Sequence, residues 1–247
     1  MPDSTRSDMC RLLVVRSQGA FRPASHIEKF ASIARNSKEY QGHGWGCAWL
    51  DTSGSWRIYR HIRPVWEDDL SVFPTTTLLV AHARSAFEDK DIVVENNMPF
   101  FDGKRVFIFN GELRGVRIKE EGRIGAEKIF NFIRRFDRSD SLAALKKAVG
   151  IIRERTRHIR GMNIVMVKDR RIYLSTFFQE DPDYFTMHCS KNRIMNPQTS
   201  ESLSVLMPRK ADSDTDPDAD AEFRICSEPF PGEQGWASIP NETVGVW

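Results

Sequence analysis

The chain has 247 residues, 40% hydrophobic and 28% charged, the balance of an ordinary globular protein. Its formal charge of +2 is too small to point to nucleic acid. No apolar run reaches the roughly 18 residues that a membrane-spanning helix requires. The length suits one large domain or two small ones and is ample for a sizeable core.

Residues 1–9 are polar and lack the apolar centre of a secretory signal. They read as a short leader, a misassigned start or a propeptide. Residues 10–16 open an apolar run that reads as a buried strand. Ser25 and Glu28 have capping-box spacing, which predicts a helix starting there and running to about Asn36. Residues 46–50 and 55–61 are β-rich and flank the hairpin signal Asp51-Thr52-Ser53-Gly54. A further strand is expected over 76–82, followed by a polar loop to Glu95.

Residues 105–110 read as a strand ending at a turn, Asn110-Gly111. Residues 126–136 place Ile129, Phe130, Ile133 and Phe136 on one helical face. A second amphipathic helix is expected over 141–157, with Leu142, Leu145, Val149 and Ile152 in register. Strands follow over 162–167, 171–176, 184–188, 202–207, 223–226 and 243–246. The acidic stretch 211–222 has no large apolar residue and reads as a mobile loop. With no second core set off by a linker, residues 10–247 read as a single domain in which helices cover antiparallel sheet.

Basic clusters at Arg134-Arg135 and between Arg153 and Arg160 lack interleaved aromatics and read as solvated helix faces. The four cysteines, Cys10, Cys47, Cys189 and Cys226, form no CxxC pair. That argues against a zinc site or a thioredoxin-like motif, and fits a reducing, cytoplasmic setting.

Cys10 directly follows Met9. If the chain is cut between them, Cys10 carries a thiol and a free α-amine, a nucleophile and a base on one residue. The plain alternative is a buried strand cysteine. Four other segments can carry chemistry. The glycine-rich stretch Gly42-His43-Gly44-Trp45-Gly46 allows close backbone approach, or is simply a tight connection. Arg84 follows a strand and can grip a carboxylate or form a structural ion pair. His82, beside it, reads as a core or positioning histidine that can also face substrate. Asn96 and Asn97, before Met98-Pro99-Phe100, can offer polar groups to a pocket wall. Asn110 and Gly111 can aim an amide and a backbone N–H at one oxyanion, or form a plain hairpin turn.

In this order the segments resemble the class II glutamine amidotransferases, members of the N-terminal-nucleophile hydrolases. They look closest to the stand-alone branch whose mature chains begin Cys-Arg-Leu-Leu. Asp-Gly-Trp-Gly, His-x-Arg, Asn-x-x-Pro-Phe and Phe-x-Asn-Gly follow there. Near the end, Cys226-Ser227-Glu228-Pro229 and Gly235-Trp236 resemble that branch's closing segment.

The resemblance implies an α+β fold, a four-layer αββα sandwich. It also implies a thioester mechanism in which Cys10 attacks an amide carbon. Asn110 and Gly111 would hold the oxyanion and Arg84 the substrate α-carboxylate, with His82, Trp45, Gly46, Asn96 and Asn97 around the substrate. It implies no metal and no cofactor. The partners implied are a small amide, either glutamine or a γ-glutamyl compound, and an ammonia-accepting synthase subunit.

Three features depart from that pattern. His43 stands where the family has Asp. Gly125, in Ile124-Gly125-Ala126-Glu127, stands where a family Asp binds the α-ammonium of glutamine. That departure favours an amide whose α-amine is absent, blocked or differently bound. Lastly, with residues 1–9 attached, the nitrogen of Cys10 is an amide and no base. A catalytically silent binding or scaffold subunit is the alternative these departures leave.

Overall fold

The computed structural model describes residues 9–86, 89–190 and 222–247. Two antiparallel sheets stack face to face. The first contains β1 (Arg11–Phe21), β2 (Trp45–Leu50), β3 (Trp56–His61), β4 (Thr76–Ala83), β9 (His188–Ser190), β10 (Phe223–Cys226) and β11 (Trp236–Ser238). Their order across the sheet is β11-β9-β10-β1-β4-β2-β3. The second contains β5 (Phe100–Phe101), β6 (Val106–Val116), β7 (Thr156–Lys168), β8 (Arg171–Ser175) and β12 (Val244–Val246), in the order β12-β8-β7-β6-β5.

Alternation along the strands divides the core into layers. On β1, Leu13 and Val15 join Leu79 and Ala81 of β4 in a cluster with Ile27, Phe30 and Ala34 of α1 (Pro23–Arg35). Their neighbours Leu12, Val14, Leu78 and Val80 point the other way, into the large core shared with the second sheet. On β6, Phe107 turns away from the first sheet and stacks on Phe130 of α2 (Gly125–Arg134), ring centroids 4.8 Å apart. Leu145, Val149 and Ile152 of α3 (Ser141–Glu154) complete that layer. The result is the expected αββα sandwich.

Several boundaries differ from the sequence reading. Pro23 starts α1 ahead of Ser25, because its fixed φ suits the first turn. Ser25 therefore lies inside the helix and bonds back to the Arg22 carbonyl, and no capping box forms. The cap that does form is at α3, where Asp140 accepts from the N–H groups of Leu142 and Ala143. That helix ends at Glu154, so the basic run from Arg153 to Arg160 straddles a helix end and β7 rather than one helix face.

Asn110-Gly111 is not a turn, because β6 continues through it to Val116. Residues 182–185 form a short helix, α4 (Pro182–Phe185), where a strand over 184–188 was expected. The left-handed Asp181 and the following proline set its start. The leader up to residue 8, the strand expected over 202–207 and nearly all of the acidic stretch 211–222 lie outside the described residues. Among the described residues, no helix is long and apolar enough to cross a membrane.

Candidate active site

Cys10 sits immediately before β1, with the parity of Leu12 and Val14, and so faces the second sheet. Its backbone N–H donates to Oδ1 of Asn110 at 2.8 Å. Asn110 is fully buried in β6, and its Nδ2 has no partner among the described residues. The oxygen end of this amide is thus held by the Cys10 main chain, which leaves its Nδ2 donors uncommitted among the described residues. A buried donor without a partner is costly and calls for an explanation.

Cys10 is buried, and its thiol lies 3.7 Å from the Ser85 carbonyl. Gly111, next along β6, must be glycine, since a Cβ there would fall 2.3 Å from the Gly161 carbonyl of β7.

Met9 is fully buried against Tyr184 and Phe185. Its carbonyl accepts from the Tyr184 hydroxyl at 2.7 Å and from Nε2 of Gln41. Burial pushes the Tyr184 phenol well above its usual range, so it remains a donor. The sequence reading missed both side chains, and it missed Asn163. The last is the register partner of Asn110 on β7 and donates to the Phe185 carbonyl at 2.7 Å. No short motif marks any of the three. A strand pairing that sets Asn163 against Asn110 is the signal that finds it.

Arg84 follows β4 and lines the same cleft as Cys10. Its guanidinium donates to the carbonyls of Asp91 (3.0 Å) and Lys90 (3.5 Å) and to Oδ1 of Asn97 (3.4 Å). Burial lowers its pKa, and the opposite charges of Cys10 and Asp91 work against that. It stays a cation in the cleft that Cys10 lines.

The other predicted residues support this group without lining the cleft. His82 is buried on the inner face of β4, opposite Leu12 in register, with Nε2 3.2 Å from the Phe109 carbonyl. Burial is the main cause that lowers its pKa to about 3, so the ring is neutral. Since a carbonyl only accepts, Nε2 carries the proton, and the contact ties β4 to β6. Trp45 is buried on the opposite face of the first sheet, its Nε1 donating to Asp68 at 2.9 Å. A Cβ on Gly46 would come 2.5 Å from the Met98 carbonyl, which explains the glycine there. Asn96 donates to the Asp91 carbonyl at 3.0 Å, and Asn97 donates to the His61 carbonyl at 2.7 Å. Both brace the loop that carries Arg84's partners. His43 does the same from the other side, accepting from the Ala86 N–H at 2.8 Å and meeting Asp89 at 3.2 Å.

The cleft has a volume of about 580 Å3 and runs from Cys10 and Arg84 to the start of α2 at Gly125. Glu127 does not reach into it as a free carboxylate. Arg123 holds that group by backbone and guanidinium bonds, which lower its pKa.

This architecture matches solved structures along nearly the whole chain. A class II glutamine aminotransferase domain protein from Silicibacter pomeroyi superposes with a TM-score of 0.56 at 13% identity, covering 96% of this chain and 98% of that one. A predicted glutamine amidotransferase from Pseudomonas aeruginosa gives 0.53 at 16% identity, covering 98% and 97%. The fold is that of the class II glutamine amidotransferases. The glutamine phosphoribosylpyrophosphate amidotransferase of B. subtilis also matches, with a TM-score of 0.57 at 12% identity. The match covers 96% of this chain but 49% of that protein, so this chain spans about half its length. No family model and no curated protein matches the sequence. In this chain, β1 and the Asn110-Gly111 strand β6 come from different sheets. Here they bring Cys10 and Asn110 into direct contact.

Proposed function

We propose that the chain is an amide-bond hydrolase of the amidotransferase type, with Cys10 as nucleophile once the Met9–Cys10 bond has been cut. The observation that carries this reading is the 2.8 Å bond from Cys10 N to Asn110 Oδ1, which leaves Asn110 Nδ2 without a partner among the described residues. In the cut chain the α-amine, with a pKa near 7.7–8.0, accepts the thiol proton. The thiolate adds to the amide carbon, and Asn110 Nδ2 with the Gly111 N–H takes up the oxyanion. The C–N bond then breaks, and the ammonium of Cys10 returns its proton to the departing nitrogen. Water, deprotonated by the same amine, hydrolyses the thioester. A substrate carboxylate lies toward Arg84.

The substrate class is glutamine or a γ-glutamyl-type amide, and the freed ammonia either passes to a synthase partner or is released. Four cysteines with no CxxC pair suit a reducing cytoplasm.

A silent binding subunit is the second reading, and one observation favours it. The Met9 carbonyl has two side-chain donors of its own, so the uncut chain is well accommodated with Cys10 N as an amide. Intact mass of the native protein separates the two. A chain beginning at Cys10 that releases ammonia from amides, and loses this in Cys10→Ala, supports the enzyme. A chain retaining Met9, or equal turnover by Cys10→Ala, refutes it.

A further inference from the structure

The charges around the cleft do not suit a substrate with a free ammonium. Arg84, Lys90, Arg123 and Lys128 contribute cations to its lining, and Glu112 and Asp91 are its carboxylate residues. Glu112 meets Arg114 at 2.5 Å and Arg160 at 3.4 Å. Asp91 directs its charge at Arg84. Glu127, just outside, meets Arg123 at 2.6 Å. Among the described residues, Glu112 and Glu127 are thus engaged by arginine, and the cleft lining holds more cations than carboxylates. Among the described lining residues, an ammonium brought in from water would meet more positive than negative charge, which disfavours it.

The wall beyond the reacting end has a different character. Leu113, Val116, Ile118, Ile124 and Ile129 line it, and Gly125 interrupts it. A Cβ built on Gly125 meets no atom within 4 Å, and its backbone is not in the left-handed region. Neither packing nor conformation therefore requires glycine there, and its effect is to leave space. Ile124, which precedes α2, offers no side-chain cap, and Glu127 of the first turn is committed to Arg123. The positive end of that helix suits a carbonyl oxygen and repels an ammonium.

We propose that the site takes the terminal amide of a glutamine whose α-nitrogen carries an apolar acyl group, and discriminates against free glutamine. This rests on the amide-hydrolase reading above and names its substrate class. Acylation removes the α-ammonium charge. The acyl chain lies in the gap at Gly125 against the aliphatic wall, and the α-carboxylate stays toward Arg84. Cys10 Sγ bonds to the side-chain amide carbon, the C–N bond breaks, and ammonia leaves with the thiol-derived proton. Water then cleaves the thioester to give N-acylglutamate. No oxidant or reductant is needed.

The test has a binding arm and a turnover arm. Binding of glutamine, N-acetylglutamine and N-octanoylglutamine to the Cys10→Ala chain is measured by calorimetry. Ammonia release from the same compounds is measured with the chain beginning at Cys10. N-octanoylglutamine is expected to bind, and to be turned over by kcat/KM, at least about 100-fold better than glutamine, with N-acetylglutamine between. Gly125→Asp, which fills the gap with a carboxylate, is expected to shift the preference back toward glutamine. Equal or tighter binding of glutamine by Cys10→Ala overturns the inference, even if glutamine is hydrolysed and the enzyme reading stands. Selective binding of the acylated compound without turnover by the Cys10 chain has the reverse meaning. The pocket is then as inferred, and the hydrolase reading fails.

Discussion

Asn110 is held by the main chain of Cys10, across the gap between two sheets, through a single 2.8 Å bond that uses only its oxygen. The division of labour within one side chain makes a specific prediction. Asn110→Asp keeps an acceptor for Cys10 N and removes the Nδ2 donor. Turnover is expected to fall about 100- to 1,000-fold, the loss typical of one oxyanion donor, with KM little changed. Steady-state kinetics of the mature chain on an amide substrate checks this. A tenfold or smaller loss in kcat means that Nδ2 does not meet the oxyanion.

The four thiols should differ sharply in reactivity. Burial raises the pKa of Cys47, Cys189 and Cys226. Cys10 alone lines the cleft, beside the Arg84 cation. Brief treatment of the native chain with iodoacetamide near pH 7 is expected to modify Cys10 and leave the others intact, since the thiolate is the reactive form. Peptide mass mapping reads the result directly. Modification of Cys47 or Cys226 at a similar rate contradicts the geometry.

The periodic elements were legible from sequence because each is decided locally. The β2–β3 hairpin follows from Asp51 to Gly54, and Asp51 does accept from the N–H groups of Ser53 and Ser55. The inner and outer faces of β1 follow from a run of large apolar residues. Asn110-Gly111 misled for a tertiary reason. The dipeptide favours a turn in isolation, but its glycine is needed where Gly161 of β7 presses close. Segment 182–185 is helical because Asp181 takes a left-handed conformation before Pro182, which apolar patterning does not reveal.

At the site, Cys10, Arg84, Asn110 and Gly111 were recognisable as one ordered set, and the fold gathers them. His82, Trp45, Gly46, Asn96 and Asn97 stand one layer behind, bracing strands and loops. Gln41, Tyr184 and Asn163 were invisible because their partners are remote main-chain carbonyls of Met9 and Phe185.

His82 is expected to make the protein sensitive to mild acid. Its folded pKa is about 3, against 6.5 for an unperturbed histidine, because burial excludes the charged ring. Between these values the unfolded chain binds the extra proton and the folded chain does not. Stability contributed by this group is therefore intact above about pH 6.5 and falls as pH drops toward 3, at up to roughly 1.4 kcal/mol per pH unit. Urea unfolding midpoints of the native chain should decline from pH 7 to pH 5. His82→Gln, which retains a donor for the Phe109 carbonyl and does not titrate, should show a shallower decline. Parallel slopes for the two proteins would assign the acid sensitivity elsewhere.

Arg84 separates charge from shape. Its guanidinium reaches the carbonyls of Lys90 and Asp91 and the Asn97 amide together, while keeping its charge beside Cys10. A lysine supplies the charge but not the planar fork. Arg84→Lys should therefore retain attraction for a substrate carboxylate and lose the brace on residues 90–97. The expected loss in kcat/KM is about 10- to 100-fold, corresponding to one or more charged hydrogen bonds. It should appear mainly in KM, because the thiol, the α-amine and Asn110 are untouched. Limited proteolysis supplies a second readout, with faster cleavage expected between Ala86 and Asn96 than in the native chain. Unchanged KM together with unchanged cleavage would show that one positive charge at this position is sufficient, and that the fork geometry has no role in ordering the cleft.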